Sequence, residues 1–417
     1  MYSYKAERDF IYSILENEIT ATYRKLIASR YFTKGQLEWI TADVLKMLQE
    51  RFQNDLVTAT FIYLDEVAFL ATSQDTYTEH ERRFLHFYRA CIDSLLTHFH
   101  KTTSEEQQSL IELTLEYFQT KDRQQSKPWS LLLMDIYQAA SAEQRLYIFY
   151  ALPIRKLALH QLDRKSKAIL SYIYLDQKEN EQALYLLELI DDLQEIEITA
   201  HFQLLKAREE WKALSHWFQT LMNINERMYF GSLQTLYDEM LMKLDDDPKK
   251  QEEIWERWLL APHYRRFESL TAYTEPEKKQ KVAEYLLPKL RERLHQPETV
   301  ITYARLLIDF QKYEEAARFF LTFEKDPFRL KQEKLELLDI LSEKKPDLAK
   351  AIYHQFSVRL VEKKTRAHYE QAVLYIKQLK KLYQKTNDLD RFGEYIQMLK
   401  KKYRTYRAFV EELKTIE

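Results

Sequence analysis

Glycine is nearly missing from this chain. Its 417 residues include 3 Gly and 9 Pro, where average usage predicts roughly 29 Gly at about 7%. Phosphate-cradling loops, dinucleotide-binding turns and tight hairpins draw on residues that tolerate positive φ, and Gly35, Gly231 and Gly393 are the glycines available. A Walker loop, a GxGxxG turn and a GxSxG elbow are absent. Cysteine is scarcer still: Cys91 stands alone, which excludes an internal disulfide and a cysteine-built zinc site. No run approaches the 18 apolar residues of a membrane span, and Lys5, Glu7, Arg8 and Asp9 leave no apolar signal core at the start. Neither sign of charge dominates. With 63 Lys and Arg against 65 Asp and Glu, the formal net charge is −2, so the whole chain is no electrostatic nucleic-acid binder. These absences point to the cytoplasm, with no membrane partner.

What is present is a helix-forming mixture, 45% hydrophobic and 31% charged. Apolar residues recur at helical spacing: Phe10, Ile11, Ile14, Leu15, Ile19 and Tyr23 in one stripe, Leu37, Ile40, Val44, Leu45 and Leu48 in another. Strand-like alternation is too short to matter. Breaks fall near residues 29–34, 72–78, 101–104, 121–127 and 245–250, several with N-cap signals such as Thr103 before Glu106 and Asp247 before Pro248. The pattern predicts an all-α chain of antiparallel helices joined by short loops.

A longer period runs through the second half. Four times an apolar pair is followed by seven mostly polar residues, an alanine, and a large apolar residue four places on. The copies are Tyr174-Leu175 with Ala183 and Leu187, Leu204-Leu205 with Ala213 and Trp217, Leu307-Ile308 with Ala316 and Phe320, and Ile340-Leu341 with Ala349 and Tyr353. A small residue lets two helices of a hairpin approach, and the residue four along fills the groove between them. The alanines lie 30, 103 and 33 residues apart, near multiples of 34. This pattern resembles the tetratricopeptide repeat. Ser171 and Ala304 match that family's small first-helix residue, whereas His201 and Leu337 depart from it.

The tail is compositionally separate. Residues 363–407 carry 13 Lys or Arg against four acids, with Tyr383, Tyr403 and Tyr406 interleaved. From Tyr369 through Lys380-Lys381 and Lys400-Lys401-Lys402 to Phe409 and Leu413, it resembles the end of bacterial SWIM zinc-finger proteins. The CxC…CxH zinc motif of that family is absent, so no zinc ligand carries over. The resemblance implies a helical, repeat-like region working near nucleic-acid transactions.

Candidate chemistry is thin. His98 and His100 are two apart and so lie on opposite sides of a helix, and Glu292 with His295 is a single ExxH where a di-iron bundle needs two. Cys91 sits on an apolar stripe and reads as a core residue. Seven acids and no base occupy residues 179–197, including Asp191, Asp192, Glu195 and Glu197, and read as a solvated face with an acidic docking patch as the alternative. The 29 tyrosines suit packing between helices. No nucleophile–base or metal-ligand spacing supports an enzyme, and no metal, cofactor or small-molecule substrate is expected.

The sequence therefore predicts an α-solenoid: a helical region over 1–160, tetratricopeptide-like hairpins over 161–362 and a basic cap over 363–417. The expected function is non-enzymatic binding of a protein or peptide segment. The tetratricopeptide resemblance implies a first-helix face built from Tyr172, Asp176, Phe202, Lys206, Arg305 and Asp309, with Leu338 and Ser342 in the last copy. Two alternatives stand beside it. One is direct nucleic-acid binding through Lys380, Lys381, Lys400, Lys401, Lys402 and Arg404. The other is a peptide-sensing regulator that uses the same face.

Overall fold

The computed structural model describes residues 2–28, 33–53, 55–121, 128–157, 159–222, 230–245 and 247–416. Among the described residues there are twenty-two α-helices, short 3-10 turns and no strand, so the chain is all-α. It divides into two compact units, Met1–Leu233 and Gln234–Glu417. That division falls inside the segment 161–362, and neither 160 nor 362 coincides with it.

The first unit holds α1 (Tyr2–Ile27), α2 (Lys34–Arg51), α3 (Leu56–Ser73), α4 (Tyr77–Lys101), α5 (Ser104–Lys121), α6 (Trp129–Ala139), α7 (Ala142–Ala151), α8 (Arg164–Asp176), α9 (Asn180–Glu188), α10 (Glu195–Ala207) and α11 (Trp211–Met222). The second holds α12 (Gln234–Leu244), α13 (Pro248–Leu260), α14 (Tyr264–Leu270), α15 (Pro276–Arg291), α16 (Pro297–Asp309), α17 (Tyr313–Thr322), α18 (Gln332–Lys344), α19 (Pro346–Val361), α20 (Arg366–Lys385), α21 (Leu389–Lys402) and α22 (Arg407–Leu413). Within each unit a helix packs on the next and on the next but one: α8 touches α9 and α10, and α16 touches α17 and α18.

Helix starts follow the sequence signals. Thr103 and Glu106 form a reciprocal cap, the Thr103 amide donating to the glutamate at 2.9 Å. Asp247 caps the Lys249 amide at 3.0 Å just ahead of Pro248. The breaks expected at 29–34 and 121–127 lie largely outside the described residues.

Helix ends depart from the glycine argument. Among the described residues, five hairpins share one three-residue turn whose middle residue has positive φ: Asp75, Lys178, Glu209, Gln311 and Asn387. In each, the third turn residue's amide reaches a carbonyl five residues back, as Glu179 does to Tyr174 at 2.9 Å and Lys312 to Leu307 at 3.0 Å. The left-handed position is therefore filled by Asp, Lys, Glu, Gln and Asn, at roughly 1–2 kcal/mol apiece. Gly231 has φ of 47°, while Gly35 and Gly393 lie inside helices.

These turns set the register and correct one repeat copy. Counting five residues on from Lys178, Glu209 and Gln311 gives Ala183, Leu214 and Ala316, so Leu214 and not Ala213 is the equivalent residue. Leu214 is fully buried and Ala213 is not. In α8 and α9 the two small residues do meet, Ser171 Oγ donating to the Ala183 carbonyl at 2.7 Å. In α10 and α11 the same two places hold the larger Phe202 and Leu214, both fully buried. The last copy differs again: α18 and α19 are joined through Lys345 alone, without a left-handed residue.

Aromatic side chains fill the seams. Phe61 stacks on Trp129 at 5.1 Å and Tyr117 tilts over Trp129 at 4.5 Å in the first unit. Phe319, Phe320 and Phe356 interlock in the second. Full burial of each such ring is worth about 1.5–3 kcal/mol. Helix α3 is long and apolar enough to cross a membrane by length and composition, although no such run was expected. Its Phe61, Tyr63, Leu64 and Val67 are buried, and α3 packs on α1 and α4. In α1, Ile11, Leu15, Ile19 and Tyr23 are buried as expected, whereas Phe10 and Ile14 are exposed.

Candidate functional site

In the first unit the first-helix face centres on Asp176, the last residue of α8. Its carboxylate accepts from the Tyr137 hydroxyl at 2.8 Å and from Arg208 Nη2 at 2.9 Å, with Arg145 Nη1 at 3.8 Å. Arg208 also donates to the Leu175 and Asp176 carbonyls at 2.7 and 2.6 Å, closing the end of α8 from the turn after α10. Gln177 Nε2 donates to the Tyr137 oxygen at 2.8 Å. Burial, then the Asp176 carboxylate, push the Tyr137 phenol up despite the Gln177 bond. Asp176 is thus a clasp between α6, α8 and the end of α10. Arg208, Arg145 and Tyr137 carry no repeat signal in the sequence.

Tyr172 is half-buried one turn before Asp176 and meets the His201 ring edge-on at 5.5 Å. His201 is fully buried; burial pushes its imidazole down to about 4, although its Nε2 bonds the Ala168 carbonyl at 3.2 Å. Phe202 is not exposed on the outer side of α10. It is fully buried, 4.6 Å from Phe218, because the one-residue slip moves the face to Gln203 and Ala207. Lys206 is half-buried beside them. On α10 an exposed stripe runs Ile196, Ala200, Gln203 and Ala207, spaced four, three and four. Ile196 is 83% exposed, the largest value among the big apolar side chains of the described residues.

The neighbouring acids are partly engaged. Glu197 Oε2 accepts from Arg164 at 2.7 Å, and Glu195 accepts from the Ser232 amide at 3.0 Å beneath Gly231, where a Cβ would meet that carboxylate at 2.4 Å. Asp191 and Asp192 stay exposed.

In the second unit Arg305 and Asp309 clasp successive layers. Arg305 pairs with Glu336 of α18 at 2.8 Å, and Asp309 accepts from the Tyr264 hydroxyl of α14. Although four residues apart on one helix, they make no ion pair with each other among the described residues. Leu338 is buried, and Ser342 donates to the Leu338 carbonyl at 2.8 Å. A fully buried carboxylate, Asp238, takes Arg257 at 2.7 Å, Arg266 at 2.6 Å and Gln234 at 2.8 Å, tying α12 to α13 and α14.

The basic tail is partly consumed inside the second unit. Lys380 Nζ donates to the Ile416 carbonyl at 2.7 Å, and Lys402 lies over the Tyr403 ring at 5.0 Å. Lys400 is half-buried. Lys381, Lys401 and Arg404 are exposed, with no ion pair or hydrogen bond among the described residues.

Cys91 is buried, and burial pushes its thiol well up, away from the reactive thiolate. Among the described residues no three His, Cys, Asp or Glu side chains converge as a metal site.

No protein-family model matches the chain, and no solved structure matches it. It is similar to an uncharacterized protein of Bacillus subtilis (strain 168), YwqB, at 25% identity over 214 residues. The match covers 50% of this chain and 34% of that protein, so the chain spans about a third of the relative's length.

Proposed function

We propose that the chain is an α-solenoid adaptor, built of tetratricopeptide-like hairpins, whose first-helix face in the Met1–Leu233 unit binds a helical protein segment. The observation that carries this reading is the exposed stripe Ile196, Ala200, Gln203 and Ala207, with Tyr172 in the register-equivalent place on α8. A helix that has buried Ile198, Phe202 and Leu205 in its own core needs no exposed Ile196 beside two alanines. Two alanines let a partner backbone come close, Ile196 supplies an apolar anchor, and Tyr172 is a rigid amphipathic contact. Exposed Asp191 and Asp192 sit at the Ile196 end and favour basic residues on the partner. The resemblance of the tail to SWIM proteins fits an adaptor working near nucleic acid, which is an associational argument.

The test is selection of a helical-peptide library on the whole chain, counter-selected on Ala200→Arg. Peptides with an apolar ridge and flanking Lys or Arg should enrich on the parent and be lost on the variant. Equal enrichment on both would remove this face from consideration.

A second reading, nucleic-acid binding, rests on the three unengaged cations Lys381, Lys401 and Arg404. Three phosphate contacts give a log–log salt slope of about −2 to −3. A slope near zero in filter binding removes it.

A further inference from the structure

Beyond the peptide face, the first unit carries a cavity of about 420 Å³ lined by Lys34 and Leu37 of α2 and by Glu79, His80, Arg82, Arg83 and His86 of α4. We propose that this cavity binds a compact polyanion carrying two or more phosphoryl groups.

The lining is chemically one-sided. Three permanent cations and two imidazoles face a single carboxylate, Glu79, and the one apolar contributor, Leu37, is itself buried. The apolar part of the wall is Leu37 and the alkyl stems of the basic residues, so the groups that select a ligand are charged and hydrogen-bonding. The volume falls in the range of small-ligand sites, roughly 300–1,000 Å³, and is too small for a folded macromolecular partner.

Three of the basic side chains of the lining are anchored or loosely paired. Arg83 is positioned by donation from Nη1 to the Leu26 carbonyl at 2.9 Å, at the end of α1. Lys34 meets Glu38 at 3.5 Å on the open surface, and His80 meets Glu79 at 3.9 Å, both loose pairs that water already competes for. Arg82 and His86 have no ion pair or hydrogen bond among the described residues. Guanidinium groups present planar forks that match phosphate oxygens two at a time.

Helix geometry sets the length of the ligand. Glu79, Arg82, Arg83 and His86 recur at three- and four-residue spacing and so share one face of α4. Adjacent helical residues do not normally face the same side. His80 joins Glu79 in the lining because its backbone leaves helical geometry, at φ −118° and ψ 19°. From His80 to His86 the helix rises roughly 9 Å, further than one tetrahedral anion reaches, so the donor row suits two or three linked phosphoryl groups.

The experiment is isothermal titration of the whole chain at about 0.1 M salt, where charges more than about 10 Å apart are largely screened. The probes are inorganic pyrophosphate and tripolyphosphate, with inorganic phosphate and sulfate as single-tetrahedron controls. Pyrophosphate is expected to bind at least about tenfold tighter than phosphate or sulfate. Arg82→Glu and His86→Glu should each weaken it by about tenfold or more, whereas Lys101→Glu, at an exposed lysine outside the cavity, leaves it unchanged. Arg82 is exposed, so melting of the ligand-free Arg82→Glu chain should match the parent and exclude a folding defect. ATP and ADP are run beside tripolyphosphate and pyrophosphate. Tighter nucleotide binding assigns a nucleoside polyphosphate, equal binding assigns the free polyanion, and both support the site. Equal affinity for pyrophosphate and sulfate, or full affinity in Arg82→Glu, overturns it.

Discussion

The Tyr137 hydroxyl donates to the Asp176 carboxylate at 2.8 Å, joining a helix to the next but one. The contact recurs in the second unit, where Tyr264 donates to Asp309. Asp176 and Asp309 each lie two residues before the left-handed turn residue, Lys178 or Gln311, so the two clasps occupy the same place in their hairpins. An exposed-looking acid at the end of a first helix is thereby fastened to the preceding layer.

Removing the hydroxyl should cost little and removing the carboxylate more. Tyr137→Phe and Tyr264→Phe are each expected to lower stability by about 0.5–1.5 kcal/mol. Asp176→Ala should cost roughly 1–3 kcal/mol, since it also takes the carboxylate from Arg208 and Arg145, leaving Arg208 its two backbone carbonyls. Denaturant midpoints of the three variants decide it, and a Tyr137→Phe cost above that of Asp176→Ala contradicts the clasp.

The left-handed residues make a stabilising substitution available. Gln311→Gly and Glu209→Gly are expected to gain up to about 1 kcal/mol by relieving the Cβ penalty, whereas Gln311→Val should lose at least as much. The register correction is checked alongside. Leu214→Ala should cost about 2–5 kcal/mol and Ala213→Ser stay within about 0.5 kcal/mol. The opposite ranking would restore Ala213 as the repeat position.

Asp238 holds two guanidinium groups in a buried site, so its loss is expected to be severe. Asp238→Ala should cost about 3–5 kcal/mol, because both Arg257 and Arg266 keep their charge with no counter-ion. The additional replacement of both arginines by Met should recover most of that cost. Without recovery, the carboxylate acts through packing and not through charge.

Stability should fall on the acid side through two histidines. Burial holds His201, and burial with Lys350 holds His354, down at about 4, against 6.5 for a free imidazole. Above pH 6.5 both are neutral in either state and contribute fully. As pH falls toward 4 the unfolded chain takes up protons that the folded chain refuses, and stability is lost. For fully buried His201 the loss approaches about 3 kcal/mol below pH 4. Melting followed from pH 7 to 4.5 should show a shallower decline in His201→Gln; superimposable curves would dispose of this cause.

Much of the helical layer was legible because its causes are local. Periodic apolar residues, Thr103 and Asp247 at caps, and a dearth of glycine all act within a few residues of where they stand. The hairpins of α8–α9 and α16–α17 were readable from Ala183 and Ala316 for the same reason. Copy two was misread by one place, since Ala213 mimics the small residue while the turn at Glu209 puts Leu214 in the seam.

The amino-acid sequence by itself determined that the chain is helical, where several helices begin, and that chemistry built on glycine loops or paired cysteines is excluded. Only the tertiary structure decided that Phe202 is core, that Gln203 and Ala207 face outward, that Asp176 and Asp309 are clasps, and that Lys34 meets Arg82 and His86 around one cavity. The physical reason is distance along the chain. Helix propensity and capping are settled within one or two turns, whereas Tyr137 and Asp176 are 39 residues apart and Lys34 and His86 are 52 apart. Such pairs are chosen by how whole helices pack, and packing depends on a helix's absolute rotation, which a single displaced residue in a turn is enough to change.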